Sequence, residues 1–278
     1  MKLRKALEKA KQTRGEVARL EVAERPPELP KDDEKKSDKG WKPLVYSKSR
    51  HIELDTKAVL ENRCICIDPN STEINCYKIL RTKIQQLTKY KGWNTVMITS
   101  ALPGEGKTLT SINLALTFAK AYNQTVMLVD CDLRNQDIHK VLGFQSNAGL
   151  IDYLVDDRPL HEAIIWPGID KLTVMSGGRT IQDSTELLGS PRMQALVKEM
   201  KSRYDDRYVI FDVPPLLVLA DALALAPYID CIVMVVEEGR TSMREAIRAL
   251  EMLPKEKFIG FVMNRQTSIT TEYYGYYK

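Results

Sequence analysis

Three apolar runs, each stopping abruptly at a short charged or glycine-rich segment, limit what this chain can fold into. Thr95-Val96-Met97-Ile98-Thr99-Ser100 precedes Ala101-Leu102-Pro103-Gly104-Glu105-Gly106-Lys107-Thr108. Met127-Leu128-Val129 precedes Asp130-Cys131-Asp132-Leu133-Arg134, and Val209-Ile210-Phe211 precedes Asp212-Val213-Pro214-Pro215. Unbroken apolar runs suit strands buried on both faces, the condition of parallel sheets covered by helices, and ligands then gather at the carboxyl ends of such strands. The expected fold class is α/β, a doubly wound, mostly parallel sheet with helices on both faces.

The first segment matches a phosphate-binding loop, with Ala101 where the usual pattern has its leading Gly. Its setting supports the match, because residues 95–100 read as a strand and Thr108 to Tyr122 as a helix. Backbone N–H groups from Gly104 through Glu105, Gly106 and Lys107 to Thr108 would hold a nucleotide β-phosphate, aided by the helix dipole. Pro103 and Leu109 flank them and are counted with the nucleotide-binding residues. Lys107 would reach the β/γ oxygens, and the Thr108 hydroxyl would ligate Mg²⁺. The fold is then expected to be P-loop NTPase-like.

Asp130 and Asp132 are two apart at a strand end, so their side chains leave the same face of the pleat. Two carboxylates beside a triphosphate suit Mg²⁺ coordination and acceptance of a hydroxyl proton. Asp212 ends its own apolar run and would hold the metal through water. The competing reading makes these acids helix caps or partners of Arg134. Three acids, all ending apolar runs, count against it.

Together, the phosphate loop, the Asp-x-Asp-x-Arg segment and the Asp-x-Pro-Pro segment resemble the Walker A, A′ and B motifs of bacterial tyrosine kinases. The resemblance covers roughly residues 70–278 and includes Ser184-Thr185-Glu186-Leu187-Leu188. It looks closest to the exopolysaccharide-locus autokinases associated with exosortase systems. It implies an ATP-dependent protein-tyrosine autokinase that uses Mg²⁺ and regulates exopolysaccharide or capsule biosynthesis. The implied activator is a separate membrane polysaccharide copolymerase, a chain-length-determinant protein. Lys107, Asp130, Asp132 and Asp212 are then the catalytic set. Asp130 accepts the tyrosine proton, and Asp132, Asp212 and Thr108 serve the metal. Arg134 joins the nucleotide-binding residues. Asn264, at the end of the last strand, sits where related P-loop ATPases place an adenine-reading amide, although a strand-terminal Asn satisfying a turn is the competing reading.

One motif departs from the family. Many members carry Glu-x-x-Arg-x-x-Arg, associated with a ring of subunits, on the helix expected here over 72–90. Asn75, Lys78 and Arg81 occupy those positions, and Glu73 is displaced by two residues, about 200° around a helix. Only Arg81 matches. Transfer between copies needs no more than a smaller or looser oligomer.

The carboxyl terminus reads Thr271-Glu272-Tyr273-Tyr274-Gly275-Tyr276-Tyr277-Lys278. Without apolar periodicity, residues 267–278 are expected to form a mobile tail. Its phenols Tyr273, Tyr274, Tyr276 and Tyr277 are the expected phosphorylation sites, reached in trans and supporting self-association. The alternative is an aromatic patch that packs on a partner or on the core.

Domain organisation follows from composition shifts. Residues 1–40 read as a basic amphipathic helix and a Pro-rich, charged, disordered linker that could touch an anionic membrane surface. Residues 41–266 form the kinase domain, within which 41–70 are expected to fold onto the core. A net charge of +4 is too small to argue for nucleic-acid binding. No apolar run approaches the roughly twenty residues that span a bilayer, and no signal peptide is visible. The expected location is cytoplasmic, peripheral at the inner membrane through a partner. The cysteines at 64, 66, 76, 131 and 231 form no Cys-x-x-Cys pair and are expected to be free thiols. Two other functions compete. A ParA/MinD-like ATPase would need a signature Lys where Pro103 stands, whereas a nucleotide-gated adaptor of a copolymerase is open to the same motifs.

Overall fold

The strand that leads into the phosphate-loop segment begins at Thr95 and ends at Ser100, as the sequence predicts, and the sheet grows around it. The computed structural model describes residues 49–71 and 73–267. The readings of residues 1–40 and of the four tail tyrosines lie outside the described residues. Among those described, eight strands form one sheet: β1 (Arg50–His51), β2 (Thr95–Ser100), β3 (Thr125–Asp130), β4 (Ile164–Trp166), β5 (Leu172–Met175), β6 (Arg207–Asp212), β7 (Cys231–Glu237) and β8 (Phe258–Asn264). Their spatial order is β1-β4-β5-β3-β6-β2-β7-β8, and only the β4–β5 pair is antiparallel.

The period-2 alternation of strand side chains splits the core into two layers. Met97, Met127, Val129, Val209 and Phe211 enter one layer; Val96, Ile98, Val126, Leu128 and Ile210 enter the other. Every residue of β2, β3 and β6 is buried. That burial explains why their sequences are apolar runs without a polar face. Truncating a core side chain such as Phe211 to Ala would cost about 3–5 kcal/mol.

Helices cover both faces. Lys107–Ala119 lies in the second layer, with Thr110 through Ala119 all buried. It stops short of Tyr122, where the Lys120 ammonium donates to Cys66 O at 2.6 Å and the chain turns toward β3. The helix expected over 72–90 runs Ile74–Thr88, and a 3-10 turn at Lys89–Lys91 then closes on Gly92 at φ +63°. Arg81, the one match to the ring motif, donates through Nη1 to Thr117 O at 2.5 Å. Its guanidinium joins two helices of the same chain. Pro191–Ser202 covers the first layer with Met193, Leu196, Val197 and Met200, and Ser190 caps it by accepting from Met193 N at 3.2 Å.

Among the described residues, 49–71 pack on the core, with Cys64 and Cys66 fully buried beside the Lys107–Ala119 helix. The short strands β1 and β4, two and three residues long, carry no periodicity that a sequence could reveal. None of the five cysteines forms a disulfide. Among the described residues, no helix is long and apolar enough to cross a membrane.

Candidate active site

The carboxyl ends of β2, β3 and β6 are neighbours, so the three segments found in the sequence emerge side by side. Register sets the arrangement: Asp212 pairs with Ile98 of β2 on one side and with Asp130 of β3 on the other. The phosphate loop therefore leaves β2 just beyond the level of the two acids.

The loop needs glycine at two places. Gly104 and Gly106 have φ of +81° and +92°, a region L side chains rarely adopt. A Cβ on Gly106 would lie 2.1 Å from Asn264 Nδ2. Ala101 has no such demand and is buried in the first core layer, which is why it can replace the usual leading Gly. The loop is braced from the far side of the sheet. The Glu105 carboxylate, fully buried, accepts from Leu102 N at 2.8 Å and from the Thr241 hydroxyl. Asn264 Nδ2 donates to Glu105 O at 2.8 Å, and Arg240 Nη2 donates to Pro103 O at 3.0 Å. Asn264 thus acts as a strand-terminal amide that satisfies a turn of the loop. Glu105 turns its side chain away from the cavity.

Lys107 opens the following helix and points its ammonium at the acids. Its Nζ lies 2.8 Å from Asp132 Oδ2 and 3.6 Å from Asp212 Oδ2, with side-chain exposures of 11% for Lys107 and 7% for Asp132. Burial works against its charge, but Asp212 and Asp132 outweigh it and raise the pKa above the usual lysine value. Thr108 Oγ1 donates to Asp212 Oδ2 at 2.7 Å, and Ser111 Oγ donates to Asp212 Oδ1 at 3.1 Å. Ser111 was not read from the sequence. Its signal is position, one helical turn beyond Thr108 on the same face.

Asp130 sits apart from the other two acids. Its carboxylate is fully buried; Oδ1 accepts from Asp132 N at 3.1 Å and Oδ2 from Ile138 N at 3.3 Å. A group held by two backbone donors positions the Asp132 loop. Burial, then repulsion from Asp212, pushes its pKa well above the carboxylate range. Asp132, by contrast, lines the cavity. Cys131 between them is a buried filler whose thiol burial pushes well up.

The resulting cavity holds about 360 Å³ and is bounded by Pro103, Gly104, Gly106, Lys107, Thr108 and Leu109 of the loop and helix. Asp132 and Arg134 form the facing wall, and Pro215, Val218 and Leu219 an apolar side. Arg134 is steered by Ser184, which accepts from Nε at 2.9 Å; this gives the Ser184–Leu188 segment its place in the site. A larger cavity of about 730 Å³ lies at the amino ends of β2 and β6, lined by Trp93 and Tyr208, and contains none of the motif residues.

Asp132 and Asp212 flank the one Lys107 ammonium, and their outer oxygens can take a further cation. The oxygens of Asp132, Asp212 and Thr108 are hard donors, carboxylate and hydroxyl. They fit Mg²⁺, which binds through one or two carboxylates and substrate phosphates and keeps waters. The glycine cradle beside them fits the phosphates of a nucleotide.

Comparison with known proteins agrees with this arrangement. The AAA domain family matches residues 94–255. The chain is 35% identical over 212 residues to tyrosine-protein kinase YwqD of Bacillus subtilis (strain 168), which covers 76% of this chain and 88% of that protein. It is 31% identical over 210 residues to the succinoglycan biosynthesis transport protein ExoP of Rhizobium meliloti (strain 1021), covering 73% of this chain but 26% of that longer protein. Among solved structures, the kinase domain of Escherichia coli tyrosine kinase ETK superposes with a TM-score of 0.67 at 25% identity, covering 81% of this chain and 93% of that domain.

Proposed function

Since the chain belongs to the AAA domain family and, within it, to the bacterial tyrosine-protein kinases, we propose that it transfers the γ-phosphoryl group of ATP to tyrosines of its own carboxyl-terminal run. The acceptors are Tyr273, Tyr274, Tyr276 and Tyr277, presented by a second copy in trans. The observation that carries the reading is the meeting of Lys107, Thr108, Asp132 and Asp212 at one glycine-walled cavity.

Each residue has a role derived from its contacts. Backbone N–H groups of Gly104 to Thr108 bind the phosphates, and the Lys107 ammonium offsets charge on the β/γ oxygens. Thr108 and Asp212, already joined at 2.7 Å, would hold Mg²⁺. Bound Mg²⁺ supplies charge neutralisation for the transferring phosphoryl group. Asp132, on the cavity wall, is the carboxylate an incoming tyrosine hydroxyl can reach, and it takes the phenolic proton. Ser111 orients Asp212, while Asp130 orients the loop that carries Asp132. Arg134 steers the acceptor and the nucleotide from the rim.

The wider role is control of exopolysaccharide or capsule assembly, with a membrane polysaccharide copolymerase as activator, and the similarity to ExoP supports it. Through that partner the chain would work at the cytoplasmic face of the inner membrane. The ParA/MinD reading is disfavoured by Pro103, which stands where the signature Lys is required. Incubating the purified chain with ATP and Mg²⁺, followed by mass spectrometry of the terminal peptide, tests the proposal. Phosphotyrosine that forms with the unmodified chain and not with Lys107→Met supports it; a chain that hydrolyses ATP without labelling tyrosine refutes it.

A further inference from the structure

A second cavity of about 530 Å³ adjoins the nucleotide cavity, and Arg134 and Asn135 line both. Its walls add Gln136, His139, Lys140 and Phe144, and among the described residues no carboxylate lines it. Asp137, which lines the nucleotide cavity, pairs with Lys140 at 2.9 Å. Arg134 is fixed through Nε on Ser184, and no hydrogen bond among the described residues occupies its two terminal nitrogens. Two cationic heads facing a space without an acid make an anion site.

Two further features narrow the anion. Gln136 is only 2% exposed; its Nε2 donates to Arg179 O at 2.8 Å, while its buried Oε1 has no donor among the described residues. Such an acceptor is costly to leave unmatched, and the N–H of a bound peptide would supply it. His139 and Phe144 meet edge to face with centroids 6.3 Å apart, giving an aromatic wall. A ligand that combines a phosphate, an aromatic ring and a peptide N–H satisfies all of these at once.

The geometry points to a phosphotyrosine subsite that receives the carboxyl-terminal run of a second copy while another tyrosine of that run occupies the nucleotide cavity. This assignment rests on the tyrosine-kinase reading above and adds how successive tyrosines are handled. Tyr274 and Tyr276 are two apart, so in an extended bound peptide their side chains leave the same side. The first phosphate added then anchors the run across Arg134, and later transfers proceed from an anchored substrate.

The test uses the full chain, saturated with a non-hydrolysable ATP analogue and Mg²⁺, and a fluorescent peptide of residues 271–278. A peptide phosphorylated on Tyr274 should bind about tenfold or more tightly than the unmodified one, as expected for charge-assisted hydrogen bonds. Phenyl phosphate should displace it better than inorganic phosphate. Lys140→Glu should erase the preference, leave the rate of the first phosphorylation unchanged, and cause singly phosphorylated chain to accumulate. Equal binding of the two peptides, equal displacement by inorganic phosphate, or an unchanged ladder of phosphoforms in Lys140→Glu overturns the subsite. If no phosphotyrosine forms in the unmodified chain, the kinase reading fails instead, and peptide binding still decides the subsite.

Discussion

Asp130 and Asp212 are direct register partners at the carboxyl ends of β3 and β6, and both are fully buried, yet they face different company. Asp212 receives the hydroxyls of Thr108 and Ser111, and Asp130 receives two backbone N–H groups. One acid belongs to the ligand side of the site and the other to its scaffold.

This division predicts unequal effects on catalysis. Asp132→Asn should slow autophosphorylation by about 10²–10⁴-fold, the usual contribution of general-base assistance. The loose transition state of phosphoryl transfer asks little of a base, which favours the lower end. Asp130→Asn should cost less, because it perturbs only the position of the loop. A time course in which Asp130→Asn is the slower of the two would return the base role to Asp130.

Lys107→Met should abolish tail labelling, because among the described residues no other ammonium pairs with the Asp132 and Asp212 carboxylates. It also leaves buried carboxylates without their cation, a change that costs about 3–5 kcal/mol when one partner of a buried pair is removed. Melting temperature should fall while the circular dichroism spectrum at 25 °C stays that of the unmodified chain. Persistent labelling of the tail from ATP would sink the assignment.

The buried acids also set a pH dependence. Burial first, with neighbouring carboxylates adding to it, raises the pKa of both Asp130 and Asp212 in the folded chain. An acid whose folded pKa exceeds its unfolded value of about 3.9 stabilises the fold below that pH, and this is lost as pH rises through the folded value. Asp130→Asn should therefore show a flatter decline of melting temperature above about pH 4 than the unmodified chain. Parallel curves for the two proteins contradict the burial argument.

Gly106→Ala should weaken nucleotide binding by more than about tenfold, since the residue sits at φ +92° and its Cβ would strike the Asn264 amide. Gly104→Ala should be milder, because its Cβ meets only the far end of Arg240, at 3.1 Å. Adding Asn264→Ala to Gly106→Ala should recover part of the loss, leaving the backbone strain. Calorimetric titration with ATP ranks the three; equal affinities for the two glycine variants would refute the bracing of the loop by Asn264.

Four phosphates on Tyr273, Tyr274, Tyr276 and Tyr277, each adding roughly −1.5 to −2 charge, would reverse the formal charge of +4. A run presented to a neighbour's acids should then release once fully modified, so the unmodified chain should self-associate and the fully phosphorylated chain should be smaller. Replacing all four tyrosines by Phe should remove labelling and keep ATP binding. Light scattering at matched concentration checks the masses, and a larger phosphorylated species would rule the run out as the switch.

The local pattern alone determined the architecture and the chemistry of the site. Apolar runs ending in Ser100, Asp130 and Asp212 can be satisfied only by buried strands, and Gly104, Gly106 and Lys107 fit only a loop that cradles phosphate. The roles within the site were decided by tertiary structure. Asp130 and Asp132 are equivalent in spacing, but the turn toward Ile138 brings one carboxylate under backbone donors and leaves the other on the cavity wall. Ser111, Arg240, Thr241 and Asn264 lie between 4 and 157 positions from Lys107 and act through contacts that no period in the sequence encodes. Hydrogen bonds and ion pairs depend on distances between strand ends, and only the packed sheet sets those distances.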